Sequence, residues 1–260
     1  MNNELKKPIT SKVISIITDF SELQNTMEAA KFGLNLTIMN SKLYRDFQVA
    51  NEHLEENQRT LERITGFAES AQKQVDVNFS DLNSQIVVML YAHLEAGIKN
   101  IILEVFKYIN IAEIDDLNKM KISIKYIGYD EEEKMDHLFS EYESLIARGL
   151  SYGISRFEAL LKPIGLSGDV DKKVIKGIGE FSQLRNLLLH KGGIVDTHFK
   201  THCPWVNCRL KEKFIVTDKE ISRYRFSVLA YLMTIVYRFS SPDDEMIKIK
   251  TLINEYLTNL

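Results

Sequence analysis

The feature that most limits what this chain can fold into is a pair of apolar seams within residues 13–75. In the first, Val13, Ile16, Phe20, Leu23, Met27, Ala30 and Leu34 alternate steps of three and four. Such steps line one stripe of an α-helix and cannot form a sheet face, whose period is two. The register fails at 36–42, where Asn35, Asn40 and Ser41 can turn or cap the chain. A second seam runs Leu43, Phe47, Ala50, Leu54, Asn57, Leu61, Ile64, Ala68, Ala71, Val75, a helix about 50 Å long at 1.5 Å per residue. Asn57 is its single polar member, and one polar seam residue can set register. The two seams predict an antiparallel helical hairpin over residues 1–77, packed on its own domain or extended as an oligomerisation arm.

The rest of the chain, 78–260, reads as one helical domain. Residues 82–110 are apolar nearly all round and predict a buried central helix, capped by Ser80 or Asp81. His93, Glu95 and Lys99 interrupt it, and Glu95 stands four residues before Lys99, the favourable order for a helical ion pair. KISIKYIGY at 121–129 alternates like a strand, and 130–146 is an acidic amphipathic helix. A shorter segment ends at Pro163 and Gly165, and Asp169 or Asp171 can cap the helix that follows. After it, 197–218 predicts a small β-hairpin or extended insertion carrying Trp205, Phe214 and Val216. A strongly apolar helix at 220–238 and a closing amphipathic one at 245–260 complete an all-α chain.

Four prolines and 12 glycines in 260 residues leave little to interrupt these helices. The N-terminus lacks the apolar core of a signal peptide. The longest apolar runs, near 86–92 and 228–237, fall short of the roughly 18 residues that a membrane span needs. Two cysteines make no disulfide framework, so a cytoplasmic protein without membrane partners is expected. The net charge of −3 argues against an all-over nucleic-acid coat, but charge is unevenly spread. Residues 171–213 hold nine Lys/Arg against four acids, whereas 130–143 hold seven acids against one lysine. The basic segment suits a phosphate-bearing ligand.

That segment contains FSQLRNLLLHKGGIVD, residues 181–196. Phe181, Leu184, Leu187 and Leu188 recur at helical spacing, and Gly192 and Gly193 supply the left-handed conformation that ends many helices. At about 100° per residue, Asn186 and His190 lie about 40° apart, opposite the apolar stripe. Arg185 lies about 140° from His190, so a straight helix does not bring the two side by side. His190 sits in the last turn, where the helix dipole favours its protonated form by roughly 0.3–1 kcal/mol, which suits acid–base work.

The order Arg185, Asn186, three leucines and His190, followed by KGGIVD, resembles the signature of the HEPN superfamily of ribonucleases and RNA-binding domains. YAHLEAGIK at 91–99 is similar to the helix preceding the motif helix in one subgroup, where an acid recurs. The resemblance implies an HEPN-type antiparallel bundle and a metal-independent endoribonuclease. In that reading the RNA 2′-hydroxyl attacks its neighbouring phosphorus, His190 transfers protons, Arg185 stabilises phosphoryl charge and Asn186 positions phosphate or His190. Lys191 is the candidate RNA contact. Glu95, supported by Lys99, orients Arg185, or else the two form only a local ion pair. The implied partners are RNA, a second copy joined through the motif helix, and an antitoxin or defence-system protein. The rival reading is a non-catalytic module gripping RNA or a protein. Where some HEPN toxins carry a tyrosine that is adenylylated, two residues past the histidine, this chain has Gly192, so that control is not implied.

His198, His202, Cys203 and Cys208 are a zinc-type ligand set, but His202 and Cys203 are adjacent and no C-x-x-C pair exists. No metal is expected there. A Walker loop, G-x-G-x-x-G and H-E-x-x-H are all missing from the sequence, and no cofactor is implied.

Overall fold

The computed structural model describes residues 2–50, 58–111, 114, 117, 128, 130–150, 153–238 and 244–259. Among these the chain is all-helical. The order is α1 (Asn2–Ala50), α2 (Gln58–Asp76), α3 (Ser80–Phe106), α4 (Glu131–Ile146), α5 (Ile154–Leu161), α6 (Lys172–Lys191), α7 (Thr197–His202), α8 (Asp218–Tyr237) and α9 (Asp244–Thr258).

α1 runs straight through 36–42, where the seam predicts a turn. The register changes there because the helix changes partner, not because it stops. In its first half Leu5, Ile9, Val13, Ile16, Phe20 and Met27 are buried in the one core shared with α3, α6 and α8. Beyond Met27 the buried side chains among the described residues are Lys31 and Ser41, and α2 packs alongside. Lys31 Nζ lies 5.7 Å from the ring centroid of Phe79, just past the end of α2, so α2 returns along the second half of α1. Lys31 also pairs with Asp218 at the start of α8.

α3 is the centre of the bundle. Val87, Tyr91, Leu94, Ile98, Ile101, Ile102 and Val105 are essentially inaccessible to solvent. Each aliphatic side chain of this kind contributes roughly 1.5–3 kcal/mol by leaving water. α1 and α3 approach closely at Gly97, where a Cβ would come within 2.5 Å of the Ile16 side chain. α6 and α8 meet at Gly177, where a Cβ would lie 2.0 Å from the Ser227 hydroxyl. Between the helices the Phe181 ring meets Tyr91 edge-on at 5.1 Å and stacks on Tyr224 at 5.0 Å. By length and apolar composition α3 can cross a bilayer, against the expectation drawn from uninterrupted apolar runs; here about half of its most apolar window is buried among the other helices.

Neither expected cap of α3 serves as one. The helix starts after Phe79, in the left-handed conformation, with no side-chain cap. The Ser80 hydroxyl instead accepts the Val216 N–H at 3.0 Å, and Asp81 pairs with Lys213 at 2.7 Å. That hydrogen bond to Lys213 holds the Asp81 carboxyl below its usual value. Both residues therefore pin the segment before α8 onto α3.

Of the two alternatives for the segment after α6, the structure has an extended insertion with one short helix and not a β-hairpin. Among the described residues there is no strand, only one isolated antiparallel bridge between Ile194 and Lys213. Asp196 caps the short α7 by accepting the Phe199 N–H at 2.8 Å. Val195, Phe199, Cys203, Phe214 and Val216 all bury into the core, so the excursion is fixed by its side chains rather than by a ladder. The strand-like stretch 121–129 lies outside the described residues except for Gly128.

Candidate functional site

Helix α6 carries the sequence motif. Asp171 caps it, accepting the Lys173 N–H at 2.7 Å. Gly192 and Gly193, at φ 57° and 81°, close it by donating their N–H groups to the Leu187 carbonyl. A side chain at either position would be strained in that conformation. Phe181, Leu184 and Leu187 anchor the buried face, Arg185 and Asn186 are half-buried, and Leu189, His190 and Lys191 are exposed.

Arg185 faces α3. Its Nη2 lies 3.6 Å from the Glu95 carboxylate, its Nη1 donates to Asn186 Oδ1 at 3.0 Å, and its guanidinium sits 5.6 Å from the centroid of the Tyr91 ring. Glu95 also accepts Arg156 Nη1 at 2.8 Å, and the other end of Arg156 is bonded to Glu143. The result is a ladder of alternating charge, Arg185–Glu95–Arg156–Glu143, joining α6, α3, α5 and α4. Burial lowers the Arg156 pKa, but Glu143 and Glu95 more than offset it, leaving it raised. Lys99 is not part of this ladder: it bonds Asp136 at 2.7 Å. Arg185, Arg156 and Arg148 border one open groove of about 660 Å³ together with Glu95 and Glu143.

His190 faces the other way. With Gln183, Asn186, Asp196, His198 and Phe199 it lines a separate groove of about 340 Å³ between α6 and α7. Lys191 borders the same groove. Asn186 is the link: it holds Arg185 through its amide oxygen and walls the groove of His190. The two grooves put guanidinium groups on one side of α6 and imidazoles on the other. One side can neutralise phosphate charge and the other can exchange protons.

The chain matches no family model, no curated protein and no solved structure.

The His/Cys group is spread apart by its environments. Cys203 is buried in the core, and burial, reinforced by the nearby Glu180 charge, pushes its thiol up to about 12. Cys208 is half-buried and its thiol is raised as well, again chiefly by burial. His198 and His202 are exposed, with ring centroids 4.0 Å apart. Among the described residues no three His, Cys, Asp or Glu side chains form a group that could hold a metal.

Sequence reasoning did not single out Arg156, Glu143 or Glu180. Arg156 is the one cation of the short α5, otherwise mostly apolar. Glu180 sits among Gly177, Ile178, Phe181 and Leu184 on the buried face of α6, a carboxylate at a core position, and that misfit was the legible signal. It is completely buried and accepts from Trp205 Nε1 at 2.7 Å, from the Tyr224 hydroxyl at 2.8 Å and from Arg223.

Proposed function

We propose that this chain is a metal-independent endoribonuclease of HEPN type, acting through Arg185, Asn186 and His190. The observation that carries the reading is the division of α6. His190 and Asn186 line an open groove with Lys191, while Arg185 is braced by Glu95 beside two further arginines. In this mechanism an imidazole takes the proton of the RNA 2′-hydroxyl, whose oxygen attacks the adjacent phosphorus. The 5′-oxygen leaves with a proton from a second acid, giving a 2′,3′-cyclic phosphate and a 5′-hydroxyl. Arg185 stabilises the equatorial phosphoryl oxygens, and Asn186 fixes its guanidinium. One chain supplies one motif histidine, so a second copy, paired through α6, provides the second proton-transfer group. The exposed Leu189, on the Arg185 side of α6, is the apolar contact such a pairing covers. A role in defence or as a toxin, with a cognate inhibitor protein, belongs to the same reading.

The test is incubation of purified protein with total RNA in EDTA, followed by mapping of new ends. His190→Ala is expected to remove cleavage by roughly 10²–10⁴-fold while leaving RNA binding intact. Cleavage that survives in His190→Ala, or that cuts DNA equally, overturns the reading.

A second reading draws on a specific contact. Arg185 is already engaged by Glu95 and Asn186, as in a side chain whose task is to hold the bundle. On that reading the protein binds RNA or a protein without cutting, and no new RNA ends appear in the same experiment.

A further inference from the structure

Trp205 is the single tryptophan of the chain and lies in the excursion that follows α7. It is 43% exposed, an unusual position for so large an apolar surface. It is nonetheless held firmly. Its Nε1–H donates to Glu180 at 2.7 Å, and Glu180 is completely inaccessible to solvent. A buried carboxylate is costly unless hydrogen-bonded, and here three donors satisfy it: Trp205, Tyr224 and Arg223. The same network fixes an exposed indole on one side and a guanidinium on the other.

Both of those side chains border one polar cavity of about 370 Å³, which Arg209 and Asn207 also line. That volume is at the small end of ligand pockets. Its acids are already engaged. Glu212 stands 3.5 Å from Arg209, and Glu220 closes the capping box of α8. Lys176 of α6 places its Nζ 4.9 Å from the indole centroid, the arrangement in which a cation reinforces an aromatic platform. Lys176 and His190 stand fourteen positions apart on α6, about 21 Å at 1.5 Å per residue, a span that a few extended nucleotides cover. The groove of His190 covers the half of that stretch from Gln183 onward, with α7 as its other wall, and the chain leaving α7 leads to Trp205.

We infer that Trp205 is a base-stacking subsite for single-stranded RNA, seating an unpaired nucleotide several positions from the bond that His190 acts on. The base lies against the indole, and Lys176, Arg209 and Arg223 meet the backbone phosphates. Glu180 is a positioning residue that sets the ring and the Arg223 guanidinium. An aromatic face is sequence-tolerant, so the subsite selects for unpaired RNA rather than for a particular base. This inference rests on RNA being the ligand of the His190 groove.

Trp205 is its own reporter. The probe is an adenylate hexamer with 2′-O-methyl groups, which cannot be cut by 2′-hydroxyl attack, titrated into the full chain while indole emission is followed. Saturable quenching is expected, equal in wild type and His190→Ala, and absent when the hexamer is annealed to its complement. Lys176→Ala, an exposed change that leaves the core untouched, is expected to weaken binding several-fold. Trp205→Ala removes the reporter, so its binding is read from the anisotropy of the same hexamer carrying a 5′ fluorophore; a loss of roughly five- to hundred-fold is expected. No quenching at RNA concentrations that saturate the protein by another measure overturns the subsite, as does equal quenching by the duplex. Cleavage of natural RNA without quenching leaves the ribonuclease standing and removes only the subsite. Quenching without cleavage keeps the subsite and removes the ribonuclease.

Discussion

Arg185 and His190, five residues apart on α6, open onto different grooves. Arg185 shares its groove with Glu95 and Arg156, and His190 shares its own with Asp196 and His198. If both serve one phosphodiester, the two sides must be joined by a second copy. An Arg185→Ala chain mixed with a His190→Ala chain should then recover part of the activity that each lacks alone. Cleavage should also fall steeply on dilution below the dissociation constant, with mass in solution moving from dimer to monomer. Full-rate cleavage by a monomer rules out the shared site.

Glu95 is placed to brace Arg185 through the 3.6 Å contact and to share its charge with Arg156. Glu95→Gln keeps the shape and removes the charge. It should lower kcat for RNA cleavage by roughly tenfold or more with a smaller effect on KM, because the guanidinium then sits out of line for the transition state. Stability should drop by only about 1 kcal/mol, since all three side chains are partly solvated. An unchanged kcat means that Glu95 serves the ladder alone.

Gly177 has no room for a side chain. Gly177→Ala would drive a methyl group to 2.0 Å from the Ser227 hydroxyl, so α6 and α8 must part or Ser227 must turn. The expected loss is about 1–3 kcal/mol, the usual range for overpacking, measured by urea unfolding. The double change Gly177→Ala with Ser227→Ala should regain part of it. A variant as stable as wild type contradicts the close approach.

The buried acids of the core point to alkaline sensitivity. Burial raises the Cys203 thiol from an ordinary 9.0 to about 12, and it raises the Tyr224 and Tyr231 phenols well above 10. The folded chain keeps these groups protonated where the unfolded chain releases their protons. Their contribution to stability is therefore complete below about pH 9 and is lost as pH rises toward the folded values. Denaturant midpoints should fall between pH 8 and pH 11, and Cys203→Ala should flatten part of that slope. With a thiol reagent at pH 8, Cys208 should react well before Cys203.

The helical character and the ends of α6 were legible because they follow from local chemistry: three-and-four spacing, an aspartate at the start and two glycines at the end. The unbroken passage of α1 through Asn40 and Ser41 was not. A seam that changes register looks the same whether a helix ends or merely turns its buried side from one neighbour to another, and only the packing of α2 separates the two. Of the two alternatives for 197–218, the β-hairpin failed for a related reason. Phe214 and Val216 alternate as in a strand, but burying them takes only one contact face and no ladder. Glu95 was visible as an acid on an apolar helix, whereas its second partner, Arg156, stands 61 residues away. No local pattern announces such a meeting.

α1 is a single rod of 49 residues, about 73 Å long, gripped by the core over its first half and by α2 over its second. Such a rod is a lever with its fulcrum inside the domain. The fit of Ile16 against Gly97 is a tooth in a notch, two residues along α3 from Glu95 and on the opposite side of that helix. A load taken up at the far end of the arm meets the bundle first at the Lys31–Asp218 ion pair and then at that tooth, so the arm has purchase on both α8 and α3.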